Sequence, residues 1–261
     1  MAIAIATAVV AVIGLLIGVG LVYAGKKFYV EVDERIPMVR EYLPGNNCGA
    51  CGYAGCDAVA EAMVKGEAAP NACPVNNSAN MEQIGAILGA AAEAPIRKVA
   101  FVRCAGDCNN TNNTCNYVGE MDCRAAHLAG ISIWECDYGC IGYGSCVKAC
   151  QYGAIRVDNG VAIVDRNKCV GCGMCAKACP KNLIELVEEG KSVAVRCMNK
   201  DRGPETKSVC NVGCLGCKAC TKQCEPGAIT VDNNLAHIDY DKCVGCEKCA
   251  EKCPRKIITR L

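Results

Sequence analysis

The 261-residue sequence has no glycine-rich G-x-G-x-x-G turn after a strand and no P-loop, which excludes a dinucleotide or nucleoside triphosphate site on this chain. Histidine is nearly missing. His127 and His237 are the only two, and beside so many thiols both read as surface or packing residues rather than metal ligands. Trp134, the single tryptophan, reads as packing. Net charge is close to absent, 28 basic against 27 acidic side chains for +1, so no nucleic-acid partner is expected. Between Ala2 and Ala24 there is no charged side chain at all.

What the sequence has in excess is cysteine, 26 in all. A disulfide scaffold, zinc ribbons and iron-sulfur clusters compete to explain such a count. The segment from Cys136 to Pro180 decides between them, because shifting it by 74 residues onto Cys210 to Pro254 gives 24 identities in 45 positions without a gap. Each copy ends in C-x2-C-x2-C-x3-C-P: Cys169, Cys172, Cys175, Cys179, Pro180, and then Cys243, Cys246, Cys249, Cys253, Pro254. Disulfides or zinc knuckles would tolerate C-x2-C alone. The closed triplet is the spacing that wraps a [4Fe-4S] cube and sends its last cysteine to a neighbouring one. Clusters need thiolates that do not oxidise each other, hence a reducing compartment.

The ligands are therefore crossed. Cys150 joins Cys169, Cys172 and Cys175; Cys224 joins Cys243, Cys246 and Cys249; Cys253 closes the upstream triplet Cys214, Cys217 and Cys220. The first copy has Tyr143 where the second has Cys217, so Cys140, Cys146 and Cys179 are one ligand short. Cys136, one turn before Cys140, is the nearest replacement. The inserted Cys104, Cys108, Cys115 and Cys123 then form an irregular further group, which leaves Cys197 and Cys210 without a cube. The pairs Cys104/Cys136 and Cys197/Cys210 alternatively share a role that spacing does not reveal. Gln151 and Glu225, standing where proline usually follows such a cysteine, are expected to alter packing and potential rather than ligation.

Upstream, Cys48, Cys51, Cys56 and, after a wide gap, Cys73 suit a self-contained [4Fe-4S] site, zinc being the alternative. Asp57 is expected to cap the helix between them, with Ala58, Val59, Ala62 and Met63 on one face. A second short helix is expected from Asn80 to Ala92, with Met81, Ile84, Ile87 and Leu88 inward. The uncharged run before Lys26 and Lys27 reads as a single-pass membrane helix, with the positive charges keeping everything downstream cytoplasmic. Gly14 and Gly18 form a G-x-x-x-G pair able to seat another such helix.

Within the copies, strands lead into Cys104 and Cys197. Hairpins are expected about Asn159-Gly160 and Asn233-Asn234. The expected fold class is α+β: a transmembrane anchor (1–27), a four-cysteine [4Fe-4S] domain with linker helix (28–95), a cysteine-rich insert (96–135), a ferredoxin-like module (136–190), a connector (191–209) and a second module (210–261). Six [4Fe-4S] clusters follow, five at the least, with no flavin or nicotinamide. A chain of one-electron centres without either moves electrons but does not itself complete a hydride reaction. The basic stretch from Lys242 to Leu261 is either a solvated face balancing cluster charge or a surface that steers an acidic donor.

The N-N-C-G-A-C-G-Y-A-G-C segment behind an apolar amino terminus, followed by tandem C-V-G-C motifs, resembles the B subunits of the Rnf complex. The match covers nearly the whole chain. It implies a membrane-bound ferredoxin:NAD+ oxidoreductase coupled to Na+ or H+ translocation, in which this component receives electrons from soluble reduced ferredoxin and passes them to other membrane and peripheral subunits; a related complex reduces a redox-sensing regulator. The family's ligands carry onto Cys48, Cys51, Cys56 and Cys73 and onto the ferredoxin cysteines named above, while the insert from Cys104 to Cys123 extends beyond the shortest members. An electron-transfer subunit of another membrane oxidoreductase such as a hydrogenase, or a structural zinc protein, are the competing readings.

Overall fold

A computed structural model describes residues 2–28, 33–91 and 96–261, excepting the side chains before Ala11. The first helix, α1 (Ala2–Lys27), ends in Lys26 and Lys27. The expectation of a single-pass anchor is corrected here: among the described residues no helix is long and apolar enough to cross a membrane. The cytoplasmic-membrane localisation inferred from that anchor falls with it.

The first cysteine domain is a small helical unit. Helices α2 (Arg35–Glu41), α3 (Cys56–Val64) and α4 (Ser78–Leu88) pack around Val39, Val59, Met63 and Ile84. The N-cap of α3 is Gly55, not Asp57. Asp57 lies in the first turn, where an acid is favourable, and pairs with Arg40 at 2.7 Å. Val59, Ala62 and Met63 are buried as expected. At the start of α4 the Asn77 side chain accepts the Asn80 N–H, and Gly89 ends the helix in the left-handed conformation. The helix therefore runs Ser78–Leu88 rather than from Asn80 to Ala92, stopped by Gly89; Ala92 itself lies outside the described residues.

The duplicated region follows as two copies of one design. In the first, β1 (Lys98–Val102) pairs antiparallel with β4 (Ile184–Glu188), and β2 (Ile155–Asp158) with β3 (Val161–Val164). In the second, β5 (Val193–Val195) pairs with β8 (Ile258–Arg260), and β6 (Ile229–Asp232) with β7 (Leu235–Ile238). Each copy is thus closed by a leading strand contributed from the segment read above as insert or connector. Both hairpins turn where expected: Asn159 and Gly160 have φ of 47° and 80°, Asn233 and Asn234 of 45° and 60°, the two positive values a tight primed turn demands. Helices α5 (Cys123–Leu128), α6 (Ser145–Lys148), α7 (Met174–Ala178), α8 (Gly203–Val209) and α9 (Lys248–Lys252) are short and begin or end at cysteines or their neighbours.

The C-V-G-C turns depend on glycine for different reasons in the two copies. At Gly171 (φ +70°) a Cβ would stand 2.2 Å from the Lys98 carbonyl oxygen, whereas at Gly245 (φ +72°) its nearest neighbour is the Ser192 hydroxyl at 2.7 Å. Backbone cannot yield; a hydroxyl can rotate. Both Gly→Ala variants carry the left-handed strain of about 1 kcal/mol, but Gly171→Ala should lower the apparent Tm by clearly more than Gly245→Ala in anaerobic thermal unfolding, and equal shifts would contradict this packing.

Candidate metal centres

In the first domain the loop carrying Cys48 and Cys51 is tied to α3 by the Asn47 side chain, whose oxygen accepts the Cys56 N–H at 2.8 Å. Burial pushes the Cys73 thiol up, and Cys51 and Cys56 lie close enough to add to the rise. The wide gap before Cys73 is spanned by α3, which returns the chain to its starting loop. Three of these four cysteines pack in one core with Val59 and Met63.

The crossed groups of the repeats are also gathered. Cys214, Cys217, Cys220 and Cys253 line one pocket. Cys249 has Cys243 and Cys246 as neighbours, and Cys224 packs in the same core. In the first copy burial raises the Cys175 thiol to about 12, with Cys169, Cys172 and Cys150 contributing. Backbone amides point at the sulfurs in matching places: the Ala154 N–H donates to Cys150 Sγ at 3.4 Å and the equivalent Ala228 N–H to Cys224 Sγ at 3.2 Å. The Ala100 and Leu183 N–H groups do the same for Cys169 and Cys179. Donors aimed at sulfur favour thiolate and tune a bound cluster.

At the incomplete group the neighbouring cysteine is not the one expected. Cys140, Cys146 and Cys179 share their pocket with Cys123, and Cys136 is not among its lining residues. Cys123 opens α5 behind an Asp122 N-cap. Its N–H donates to the Ser145 hydroxyl at 2.8 Å, and that hydroxyl donates to the Asp122 carboxylate at 2.7 Å. The hydrogen bond from Ser145 holds the Asp122 carboxyl below its ordinary range. Because Ser145 immediately precedes Cys146, this network fixes Cys123 against the triplet. Proximity along the chain favours Cys136; the usable signal is Asp122, a capping residue placed just before a cysteine.

The grouping of Cys104, Cys108, Cys115 and Cys123 is likewise not assembled. Cys108 is exposed and Cys115 half-buried, with the Cys115 thiol facing the Ser132 carbonyl at 3.6 Å. Cys104 is buried and accepts the Cys140 N–H at 3.4 Å. Cys104 and Cys136 instead line a pocket with the two cysteines left over, Cys197 and Cys210.

Among the described residues no three cysteine, histidine or acidic side chains converge to hold a single metal ion. Neighbouring groups also abut. Cys48 of the first domain lies near Cys172 of the first repeat, where Asn46 donates to the Tyr152 hydroxyl at 2.8 Å, and Cys146 lies near Cys175.

Three family models match the chain: a putative Fe-S cluster domain over residues 43–75, a 4Fe-4S binding domain over 162–185 and a 4Fe-4S dicluster domain over 213–257. Each overlaps one of the three cysteine-bearing cores. Among curated proteins, the chain is 45% identical over 93% of its length to the B subunit of the Na(+)-translocating ferredoxin:NAD(+) oxidoreductase complex of Acetobacterium woodii, covering 73% of that protein. It is 42% identical to the B subunit of the ion-translocating oxidoreductase complex of Methanosarcina acetivorans, with 96% of both chains covered. The B subunit of the proton-translocating ferredoxin:NAD(+) oxidoreductase complex of Clostridium ljungdahlii is 41% identical over 90% of this chain and 84% of its own. With such identity sustained across most of both partners, and with iron-sulfur domains where the thiols converge, the chain belongs to the family of B subunits of ion-translocating oxidoreductase (Rnf) complexes.

Proposed function

We propose that this chain is the electron-transfer subunit of an ion-translocating ferredoxin:NAD+ oxidoreductase complex, taking single electrons from reduced ferredoxin and handing them to partner subunits. The observation that carries the reading is the assembly of crossed four-cysteine groups in abutting sequence. The proposed ligand sets are Cys48, Cys51, Cys56 and Cys73; Cys150, Cys169, Cys172 and Cys175; Cys214, Cys217, Cys220 and Cys253; Cys224, Cys243, Cys246 and Cys249; and, with Cys123 in place of Cys136, Cys123, Cys140, Cys146 and Cys179. A [4Fe-4S] cluster in each would supply one-electron storage. The protein's part is to bury the thiols, aim backbone N–H groups at sulfur, and keep neighbouring groups adjacent.

The direction of flow proposed is from the carboxy-terminal repeat toward the first domain. That order is supported by Cys48 standing beside Cys172, which makes the first domain one end of the series. Three of the six basic residues near the carboxy terminus pair with nearby acids: Lys242 with Asp239 at 2.9 Å, Lys248 with Glu225, and Arg260 with Glu247. This favours a solvated face over a free cationic docking patch. The sites offer the same one-electron chemistry whether Na+ or H+ is the ion moved.

Two outcomes test the reading. Protein isolated without oxygen should be brown and hold acid-labile sulfide, and Cys123→Ser should remove about four irons along with one redox-active centre in electron paramagnetic resonance titration; a colourless preparation would return the chain to the zinc reading. Reduced ferredoxin should bleach the visible absorbance of the oxidised full chain within seconds. If dithionite bleaches it and ferredoxin does not, ferredoxin is not the donor.

A further inference from the structure

The two copies share an arrangement that none of the five ligand sets uses. In the first, the Cys140 N–H donates to Cys104 Sγ at 3.4 Å; in the second, the Cys214 N–H donates to Cys197 Sγ at 3.3 Å. Cys140 and Cys214 are equivalent under the 74-residue shift, as are Cys136 and Cys210. Cys104 and Cys197 each follow a leading strand and an arginine, Arg103 and Arg196. Each copy therefore presents one cysteine from its leading strand and one from the start of its cysteine run.

The four thiols meet on the seam between the copies. Cys104, Cys136, Cys197 and Cys210 are 7%, 9%, 7% and 7% exposed and line one pocket. Space for a non-protein group is built in at Gly106, whose backbone is not left-handed. A Cβ there would meet the Cys210 Sγ at 3.3 Å and the Cys104 Sγ at 3.9 Å, sulfurs of different copies. Asn199, 1% exposed, reaches across the same seam. Its Nδ2 donates to Cys136 Sγ at 3.6 Å and its backbone N–H to Cys197 Sγ at 3.4 Å. Trp134, whose buried Nε1–H has no partner, is on the same pocket wall. A fully buried asparagine spending side-chain and backbone donors on sulfur is what a thiolate centre needs, since neutral thiols accept weakly.

We propose that Cys104, Cys136, Cys197 and Cys210 hold a sixth [4Fe-4S] cluster on the seam between the two ferredoxin-like repeats, two ligands from each, and that it carries electrons from one repeat to the other. The proposal rests on the iron-sulfur reading above. Loading forms four iron–thiolate bonds and releases four thiol protons, with iron and sulfide delivered as the ions or as a preformed cube. In transfer the site takes one electron from the side of Cys214, whose N–H it shares through Cys197, and gives one to the side of Cys140 through Cys104. Reduced ferredoxin supplies those electrons, and the partner subunits accept them.

The site accounts for the cysteine total: six sets of four use 24 of the 26, leaving Cys108 and Cys115. The test is anaerobic iron and sulfide analysis of three full-length proteins with spin quantitation. The unaltered chain should hold about 24 irons, Cys197→Ser/Cys210→Ser should lose about one-sixth of them together with one reducible centre, and Cys108→Ser/Cys115→Ser should lose none. Full iron in the first double variant, a one-sixth loss in the second, or about 20 irons in the unaltered chain would each overturn the sixth cluster. Should the first variant fail to accumulate, the second still decides, because six cubes in it would require every remaining cysteine. Absence of iron from all three proteins would instead sink the iron-sulfur reading itself.

Discussion

The repeats depend on sulfur for cohesion as well as chemistry. The buried cluster of the first repeat includes Cys104, Cys146, Cys169 and Cys175 beside Val99, Ile155 and Val161, and that of the second includes Cys197, Cys214, Cys220 and Cys249 beside Val193, Leu235 and Ile258. About a third of each core is thiol. The strands around them run three to five residues in sheets of two, a size that is marginal in water. Cysteines thus occupy positions where a larger domain would place leucine and phenylalanine, and the 261 residues hold only two phenylalanines. Binding free energy of the inorganic group becomes folding free energy.

Electrostatics follows from the same constraint. A four-thiolate cube carries about −2 when oxidised, so the formal +1 of the sequence understates how acidic the loaded interior is. Cationic side chains are drawn to the carbonyls around the seam: Arg196 donates to the Cys104 carbonyl at 3.1 Å, Arg255 to the Cys210 carbonyl, and the equivalent Lys181 to the Asp137 carbonyl at 2.7 Å. Positions 181 and 255 correspond under the duplication, so a basic residue directed at the start of each cysteine run is a feature of both copies. Lys242 and Lys248, by contrast, close local ion pairs on the surface, where each is worth little.

Much of this is legible in the residues, and the parts that are not share a cause. The hairpins about Asn159-Gly160 and Asn233-Asn234 are each encoded within a few residues. The strand pairings β1 with β4 and β5 with β8 join residues 63 to 90 apart, and no local pattern announces them. Cys123 escapes a reading by proximity for the same reason: it sits 17 residues before Cys140, and only the contact of Asp122 with Ser145 brings it to its pocket. The anchor expectation fails differently: it comes from counting apolar residues, whereas among the described residues no helix is long and apolar enough to cross a membrane.

Duplication explains why the seam is a place for chemistry. A single repeat presents a leading-strand cysteine and a cysteine before its triplet, two thiols facing outward from its own pockets and insufficient for a cube. A second copy in tandem, packed against the first through contacts such as the Thr111 hydroxyl on the Val209 carbonyl at 2.9 Å and the Asn211 N–H on the Asn110 carbonyl at 2.7 Å, brings the other two. The pairs cannot align on identical partners, because the connector before Cys210 is much shorter than the insert before Cys136. Asn199, in that short connector, fills the asymmetry by giving its amide to a sulfur of the other copy. Two half-sites that would be inert buried thiols alone become one site only when the chain contains both, so continuity between the repeats is a property of the tandem and of neither module by itself.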